Sequence, residues 1–219
     1  MRVLELFCGT KSVGKVCEAN GFEVVSLDFQ KKFNPTICED ITTWEYSQYP
    51  PNHFDMIWAS PDCSTFSIAS SGKYRLKEHP YGRPDASEEI KEACEKANLM
   101  IKKTLEIIDY FQPKYWFIEN PRGILQYYPP LQKWVDDRGM KHLVYYGNWG
   151  WEHPKPTNIW SNVPLWNEKK PDMSPDHEWT NIHGQVRRTY KSYSHGSAKT
   201  RSAMPPLLIC EFLKRVDMI

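Results

Sequence analysis

The chain has 219 residues with a net charge of +1 and 40% hydrophobic residues, which suits one domain with a sizeable core and does not by itself indicate nucleic-acid binding. Its six cysteines form no Cys-x-x-Cys pair and have no histidines at zinc spacing, so they indicate neither a metal site nor a disulfide framework. Met1 leads straight into a core strand and no apolar run approaches membrane-spanning length, so we expect a soluble intracellular protein.

The amino-terminal part predicts a strand, a glycine turn, a helix and a second strand. The first strand is Arg2 to Phe7, the turn is Cys8 to Gly14, and the helix ends at Asn20-Gly21. A second strand from Phe22 to Leu27 finishes at Asp28, the spacing at which nucleotide-binding folds place an acid on a ribose. The free backbone amides of such a turn favour a nucleotide-like ligand, although a lone glycine turn is also a common structural feature.

A cysteine follows the next strand. The apolar run from Phe54 to Ala59 predicts a strand that delivers Cys63 to a loop, where its thiolate could act as a nucleophile. Taken alone, a cysteine is more often a small buried hydrophobe. The polar segment from Ser67 to Ser87 is predicted to be a long loop, and loops of that length are usually functional or disordered.

Helical spacing of apolar residues predicts a helix from Glu88 to Phe111, and the strand after it ends at Glu119. The alternation of strands and helices predicts an α/β protein with a doubly wound, mostly parallel sheet. Asp28, Cys63 and Glu119 each follow a strand and would share one edge. An isolated Glu119 would more often be a structural carboxylate, but three reactive residues on one edge favour a functional site.

The carboxyl-terminal part shows less pattern. We expect a strand from Leu143 to Gly147, an irregular insert from about Val163 to His195, and a closing helix through Leu207 and Val216. From residue 180 to residue 210 there is no Asp or Glu, and basic residues alternate with aromatic ones. This segment suits phosphate contacts and base stacking, but a solvated basic face is the alternative.

The order of several motifs resembles that of the cytosine-C5 DNA methyltransferase family. Each motif is weak alone, while their order and spacing are specific and extend from Leu4 to about Leu213 apart from the insert. The similar segments are the opening cofactor motif at Leu4 to Gly9, Asp28-Phe29 for ribose and adenine, Asp40-Ile41 for the adenine amino group, the nucleophile loop at Pro61 to Ser67, Glu119-Asn120-Pro121, and the closing motif at Ser202 to Pro206.

The resemblance implies a Rossmann-like methyltransferase fold, S-adenosyl-L-methionine as the donor, and DNA as the partner. It implies that Cys63 adds to carbon 6 of a flipped cytosine and that Glu119 binds N3 and N4 of the base. Cofactor contacts would come from Phe7, Gly9, Thr10, Asp28, Phe29, Asp40, Ile41, Pro61 and Ser202. Substrate contacts would come from Ser67, Lys73, Arg75, Arg83, Asn120, Lys155, Thr157, Arg187 and Arg188, with the loop from Ser67 to Ser87 closing over the base.

Three parts of the chain are expected to divide this work. Residues 1–162 would form the catalytic and cofactor-binding core, residues 163–195 a reduced target-recognition insert, and residues 196–219 a helix that completes the core. Such a short insert implies a short or loosely defined recognition site. We expect a monomer without membrane contact, located in the nucleus or cytoplasm of a host cell if the protein is viral.

The sequence departs from the family pattern in ways that leave alternatives open. Gly-x-Gly-Gly is replaced by Gly9-Thr10-Lys11-Ser12, and the Gln-x-Arg-x-Arg motif has no obvious copy, with Lys155 and Thr157 as partial substitutes. Lys11 and Arg201 beside the donor pocket could suit an acidic analogue of S-adenosylmethionine. An RNA substrate, a catalytically silent binding protein and a nucleotide-binding α/β domain of other function are the remaining alternatives.

Overall fold

A six-stranded mixed sheet forms the centre of the computed structural model, which describes residues 1–151, 154–172 and 203–216 and the backbone of residues 177–180 and 186–189. The strand order is β2-β1-β3-β4-β6-β5. The first four strands in this order are parallel, while β6 runs antiparallel to both of its neighbours. The strands are β1 (Arg2–Leu6), β2 (Glu23–Leu27), β3 (Met56–Ala59), β4 (Tyr115–Pro121), β5 (Met140–Tyr145) and β6 (Pro156–Ser161).

Helices cover both faces of this sheet, which confirms the predicted doubly wound α/β fold. One core cluster joins α3 and α4 to Leu4 and Ile57, and a second joins α1 and α5 to Val3 and Met56. Successive residues of β1 and β3 therefore enter opposite cores, as the two-residue period of a strand requires. The helices are α1 (Ser12–Ala19), α2 (Ile68–Tyr74), α3 (Glu88–Phe111), α4 (Pro129–Asp136) and α5 (Pro206–Arg215).

The longest helix has the bounds that its apolar spacing predicted. Ser87 precedes the first turn of α3, which carries Glu88 and Glu89 where carboxylates favour the positive end of a helix. The helix ends at Gln112, whose φ of 46° is left-handed, and Pro113 prevents its continuation. None of the helices in the described ranges is both long and apolar enough to cross a membrane.

Two predictions of irregular structure were wrong. The predicted loop from Ser67 to Ser87 contains α2, whose sequence has Gly72 at its centre and no apolar spacing of helical period. The predicted irregular insert contains two strands, β7 (His177–Thr180) and β8 (Val186–Thr189), which pair antiparallel. Four-residue strands are too short to show a pattern against a polar background.

The sheet topology creates a crevice at one edge. β1 lies between β2 and β3, so the chain passes from β1 to β2 on one side and later to β3 on the other side. In open α/β sheets, ligands bind beyond the carboxyl ends of the strands at such a switch point. The segments that follow β1, β2 and β3 and the end of β4 meet there.

Candidate active site

A cavity of about 830 Å³ lies at this edge of the sheet. Its walls are formed by the segments after β1, β2 and β3, by the end of β4, and by Met204 from the segment before α5. It brings together the following residues predicted from the sequence: Phe7, Gly9, Thr10, Asp28, Phe29, Asp40, Ile41, Pro61, Cys63, Glu119 and Lys155. Residues from six separate parts of the chain therefore share one site.

The turn between β1 and α1 is anchored by a buried carboxylate. Glu5 accepts hydrogen bonds from the backbone N–H groups of Val13 and Gly14, each at 3.1 Å, and so caps α1. A Cβ atom on Gly14 would lie 2.6 Å from Glu5 Oε2, which explains the glycine. Burial raises the pKa of Glu5 to about 7. Glu5 was predicted only as part of the opening cofactor motif and not as an anchor of this turn, although an acid inside an apolar strand before a glycine turn was a usable signal.

Asp28 joins the ends of two neighbouring strands. Its Oδ2 accepts from the Gly9 N–H at 3.0 Å and its Oδ1 accepts from the Gln30 N–H at 2.8 Å. Each oxygen keeps a further lone pair for a ligand hydroxyl. Phe29, the next residue, lines the cavity with 58% of its surface exposed. An exposed aromatic ring in a concave site suits stacking on a flat ligand.

Asp40 lies on the same side of the cavity. Its Oδ1 accepts from the N–H and hydroxyl of Thr42 at 3.0 and 2.8 Å, and Lys96 Nζ lies 3.6 Å from Oδ2. Partial burial would raise the pKa of Asp40, but the hydrogen bonds from Thr42 and the charge of Lys96 hold it below its ordinary value. The Lys96 ammonium also lies 6.0 Å from the centre of the Phe29 ring. A carboxylate, a cation and an aromatic face thus surround this end of the cavity.

The Cys63 loop is fixed to the end of β4. Asn120 Nδ2 donates to the Pro61 carbonyl at 2.9 Å, and the Ile124 N–H donates to the Phe66 carbonyl at 2.7 Å. A Cβ atom on Gly123 would lie 2.2 Å from that Phe66 oxygen, so the close approach requires glycine. Asn120 is fully buried and makes this structural bond, so its predicted substrate contact is replaced by a positioning role.

Glu119 lies on the buried end of β4. The Tyr146 hydroxyl donates to Glu119 Oε1 at 3.1 Å. Burial raises the pKa of Glu119, against the opposing effects of the Lys155 charge and of hydrogen bonds with Tyr146 and Ser60. Burial, with the charge of Glu119, raises the pKa of the Cys63 thiol to about 11. The arrangement therefore favours the protonated form of the thiol, and burial shifts Glu119 towards its protonated form. Tyr146 was not predicted as a site residue, because in the sequence it gives no signal beyond its place in a predicted strand.

Lys155 reaches the same cavity from the segment before β6. Its ammonium lies 4.3 Å from the centre of the Tyr146 ring and 4.8 Å from that of Trp151. Thr157 is fully buried on β6 and its hydroxyl donates to the Lys155 carbonyl at 3.2 Å. The predicted substrate contact by Thr157 is therefore replaced by a structural one.

The predicted phosphate contact by Arg75 was also wrong. Arg75 has no exposed surface, and its guanidinium donates to the Thr65 hydroxyl, the Asn98 side chain, and the carbonyls of Pro80 and Cys94 at 2.6 to 3.2 Å. It also stacks over the Phe66 ring at 3.8 Å. Arg75 therefore ties the segment after Cys63 to α3 and has no donor directed at solvent.

Ser67, Lys73 and Arg83, which were also predicted to contact the substrate, do not line the cavity. Ser67 shares a hydrogen bond with Ser70, Lys73 is exposed beside the Tyr74 ring, and Arg83 pairs with Asp85 and donates to the Gly72 carbonyl. Arg187 and Arg188 lie on β8, where only the backbone is described, and Ser202 lies outside the described residues. Lys11, which with Arg201 motivated the acidic-donor alternative, is not among the residues that line the cavity, and Arg201 lies outside the described residues.

The cavity fits a ligand that contains a nucleoside. Its volume lies within the range of small-molecule sites, roughly 300 to 1,000 Å³. The exposed Phe29 ring, the open lone pairs of Asp28 and the Asp40 carboxylate provide an aromatic face and acceptors for hydroxyl and amino groups. These are the groups that the adenosine portion of S-adenosylmethionine requires.

Comparisons with known proteins agree with this geometry. Residues 1–136 match the model of the C-5 cytosine-specific DNA methylase family. The "Probable DNA (cytosine-5)-methyltransferase" of Frog virus 3 (isolate Goorha) is 30% identical over 232 aligned positions, which cover 97% of this chain and 99% of that protein.

Two solved structures share the fold at low identity. The Dnmt2 methyltransferase of S. pombe has a TM-score of 0.51 and 17% identity, with 74% of this chain covering 50% of that one. The methyltransferase EhMeth of Entamoeba histolytica has a TM-score of 0.52 and 12% identity, with 81% of this chain covering 58% of that one. The chain thus spans about half the length of these two structures. By its family match and its full-length relative, the chain belongs to the C-5 cytosine-specific DNA methylase family.

Proposed function

We propose that this chain transfers a methyl group from S-adenosylmethionine to carbon 5 of a cytosine in DNA, through a covalent bond between Cys63 and carbon 6 of the base. The cavity that Cys63 and Glu119 share with Asp28 and Phe29 is the observation that supports this most. A binding protein without catalysis would need neither a thiol nor a buried acid at that edge.

The thiol of Cys63 provides the nucleophile. Carbon 5 of cytosine is a weak nucleophile until a group adds at carbon 6, and a thiolate is well suited to this addition. Because burial and the charge of Glu119 raise the pKa of Cys63 to about 11, the thiol is protonated at neutral pH. It must therefore lose its proton as it attacks.

Glu119 supports the altered ring. Its raised pKa lets the carboxyl hold a proton that it can donate to N3, which compensates the negative charge that develops on the base. Tyr146 donates to Oε1 and so fixes the orientation of the carboxyl group. An acceptor oxygen beside N4 would favour cytosine over thymine, which has no amino group there.

The other wall of the cavity suits the donor. When bound, S-adenosylmethionine supplies a methyl group on a positively charged sulfur. Asp28 would accept from the ribose hydroxyls, Phe29 would pack on adenine, and Asp40 with Ile41 would border its amino group. Phe7, Gly9, Thr10 and Pro61 would line the rest, and Ser202 stays a proposed contact.

The cytosine must leave the base stack to reach Cys63. We propose that the segment with α2 contacts the strand from which the base is extruded, with Lys73 and Arg83 near phosphates and Ser67 near the base. Arg187 and Arg188 on β8 stay proposed phosphate contacts.

Mass spectrometry of digested nucleic acid tests this function. Duplex DNA, single-stranded DNA and RNA would each be incubated with S-adenosylmethionine and the wild type, Cys63→Ala or Cys38→Ala. Cys38 is exposed and does not line the cavity, so it is the matched control. We expect cytosine heavier by about 14 mass units, one added CH₂, in DNA from the wild type and Cys38→Ala only. Modified RNA alone, or a product from Cys63→Ala, would overturn the proposal.

A further inference from the structure

Lys155 has a strained backbone at the wall of the active site. Its φ of 35° is in the left-handed region, which residues other than glycine rarely adopt. It lies between Pro154 and Pro156, and a residue before proline ordinarily prefers an extended conformation. Bonds to its carbonyl from Thr157 and from the Tyr146 N–H help to hold this geometry. Strain that the surroundings maintain at a cavity points to a functional side chain.

The side chain enters the space that holds the reacting groups. Lys155 lines the cavity together with Cys63 and Glu119, and its ammonium lies over the rings of Tyr146 and Trp151. In the described part of the chain, the titratable groups that affect the pKa of Lys155 are Glu119 and Cys63. Tyr146 packs against Lys155, and the charge of Asp62 affects the pKa of Cys63. Glu152 and His153 precede it in sequence and lie outside the described residues.

We propose that Lys155 accepts the proton of the Cys63 thiol when the sulfur attacks carbon 6 of the cytosine. The S–H bond breaks and an N–H bond forms on Nζ, so the neutral amine becomes an ammonium group. The sulfur electron pair forms the S–C6 bond, and the electrons of the C5–C6 double bond move into the ring, whose N3 takes a proton from Glu119. The inference rests on the proposed function and assigns its missing proton acceptor.

The surroundings of Lys155 suit both of its protonation states. Burial lowers the pKa of the amine, which increases the fraction able to accept a proton. Once the proton has moved, the faces of Tyr146 and Trp151 stabilise the ammonium group, and the Glu119 carboxylate lies in the same cavity as its counter-charge. An arginine could supply the charge but could not accept the proton, since it stays protonated in proteins.

The test isolates the attack step. DNA with 5-fluorocytosine would be mixed with S-adenosylmethionine and the wild type, Lys155→Arg, Lys155→Met or Lys133→Arg, and the rate of covalent Cys63 adduct formation would be measured between about pH 6 and about pH 10. Lys133 is exposed on α4 and is the matched control. Thermal unfolding of each variant would show that it is folded.

We expect Lys155→Arg and Lys155→Met to form the adduct on the order of 100-fold more slowly at neutral pH. Their rates should rise about tenfold per pH unit where the wild-type rate has levelled, because hydroxide must remove the thiol proton. A Lys155→Arg rate equal to the wild type, or a loss that does not depend on pH, would overturn the inference. Absence of any wild-type adduct at every pH would instead overturn the proposed function.

In the free protein, alkylation of Cys63 by iodoacetamide gives a readout without substrate. Peptide mass spectrometry would follow Cys63 separately from the exposed Cys38. We expect Cys63 in Lys155→Arg to be alkylated at least as fast as in the wild type, because the permanent guanidinium charge favours the thiolate, although adduct formation is slow. Slow alkylation of Lys155→Arg in parallel with slow adduct formation would show that the substitution lowers the reactivity of Cys63 in general, and would overturn the assignment.

Discussion

Tyr146 holds Glu119, the acid of the active site, from the segment that follows β5. It follows β5, is fully buried, and its hydroxyl reaches Glu119 Oε1 on β4 at 3.1 Å. Burial and the neighbouring Glu119 raise the pKa of Tyr146 well above its usual value, so the hydroxyl stays a donor. The bond from Tyr146 therefore fixes the orientation of the carboxyl group.

Replacement of Tyr146 by Phe keeps the ring beneath Lys155 and removes only the hydroxyl. We expect kcat to fall roughly tenfold to a hundredfold, since a buried hydrogen bond to this acid contributes about 1 to 3 kcal/mol. In a Glu119→Gln background the same change should have little further effect, which a double-mutant cycle of methyl-transfer rates measures. Additive losses would show that the two residues act independently.

Single site residues could be predicted from the sequence where they lie at the end of a recognisable strand. Cys63, Glu119 and Asp28 each follow a recognisable apolar strand, and the structure brings Cys63, Glu119 and Asp28 to one cavity. Tyr146 and Glu5 were not assigned because their roles depend on contacts with other segments of the chain. The same limit explains Arg75 and Asn120, whose polar side chains suggested solvent-facing contacts but are buried.

At the scale of elements, Arg75 adds polar contacts that hold the segment after Cys63 beside the buried Phe66. α2 has exposed Ile68 and no described buried side chain of its own within Ile68–Tyr74, so it is held mainly from its carboxyl end. There, the Arg75 guanidinium links Thr65 to Asn98 on α3 and covers Phe66. A single side chain thus connects the loop of the nucleophile to the longest helix.

Arg75→Met tests this role, with Arg83→Ala as its control. Methionine retains much of the stem but leaves Thr65, Asn98 and two carbonyls without their donor, so we expect a loss of roughly 3 kcal/mol or more. For a chain of this size the melting temperature should fall by about 10 °C. Arg83→Ala removes an exposed ion pair and should change it little. Equal melting temperatures for the two variants, measured by calorimetry, would contradict the structural role.

For the whole molecule, the central sheet and its covering helices were predicted more accurately from the sequence than the shorter segments. Strongly apolar strands and the long α3 carry their own periodic pattern, whereas α2, β7 and β8 are short and polar, so their formation depends on tertiary contacts. The chain spans about half the length of the two solved methyltransferases but nearly all of its Frog virus 3 relative. That residues 163–195 read the target stays a prediction from the sequence.

A short reading segment should give limited specificity. Each good bidentate contact to a base edge contributes about 1 to 3 kcal/mol of discrimination, so a short ribbon such as β7 and β8 can read few positions. Sequencing of modified cytosines in a random DNA library should therefore reveal a short or loosely defined site. A long, strictly defined site would contradict this prediction.

Replacing both Arg187 and Arg188 by Ala should weaken binding equally across sequences and reduce the salt slope by about two, because phosphate contacts carry no base information.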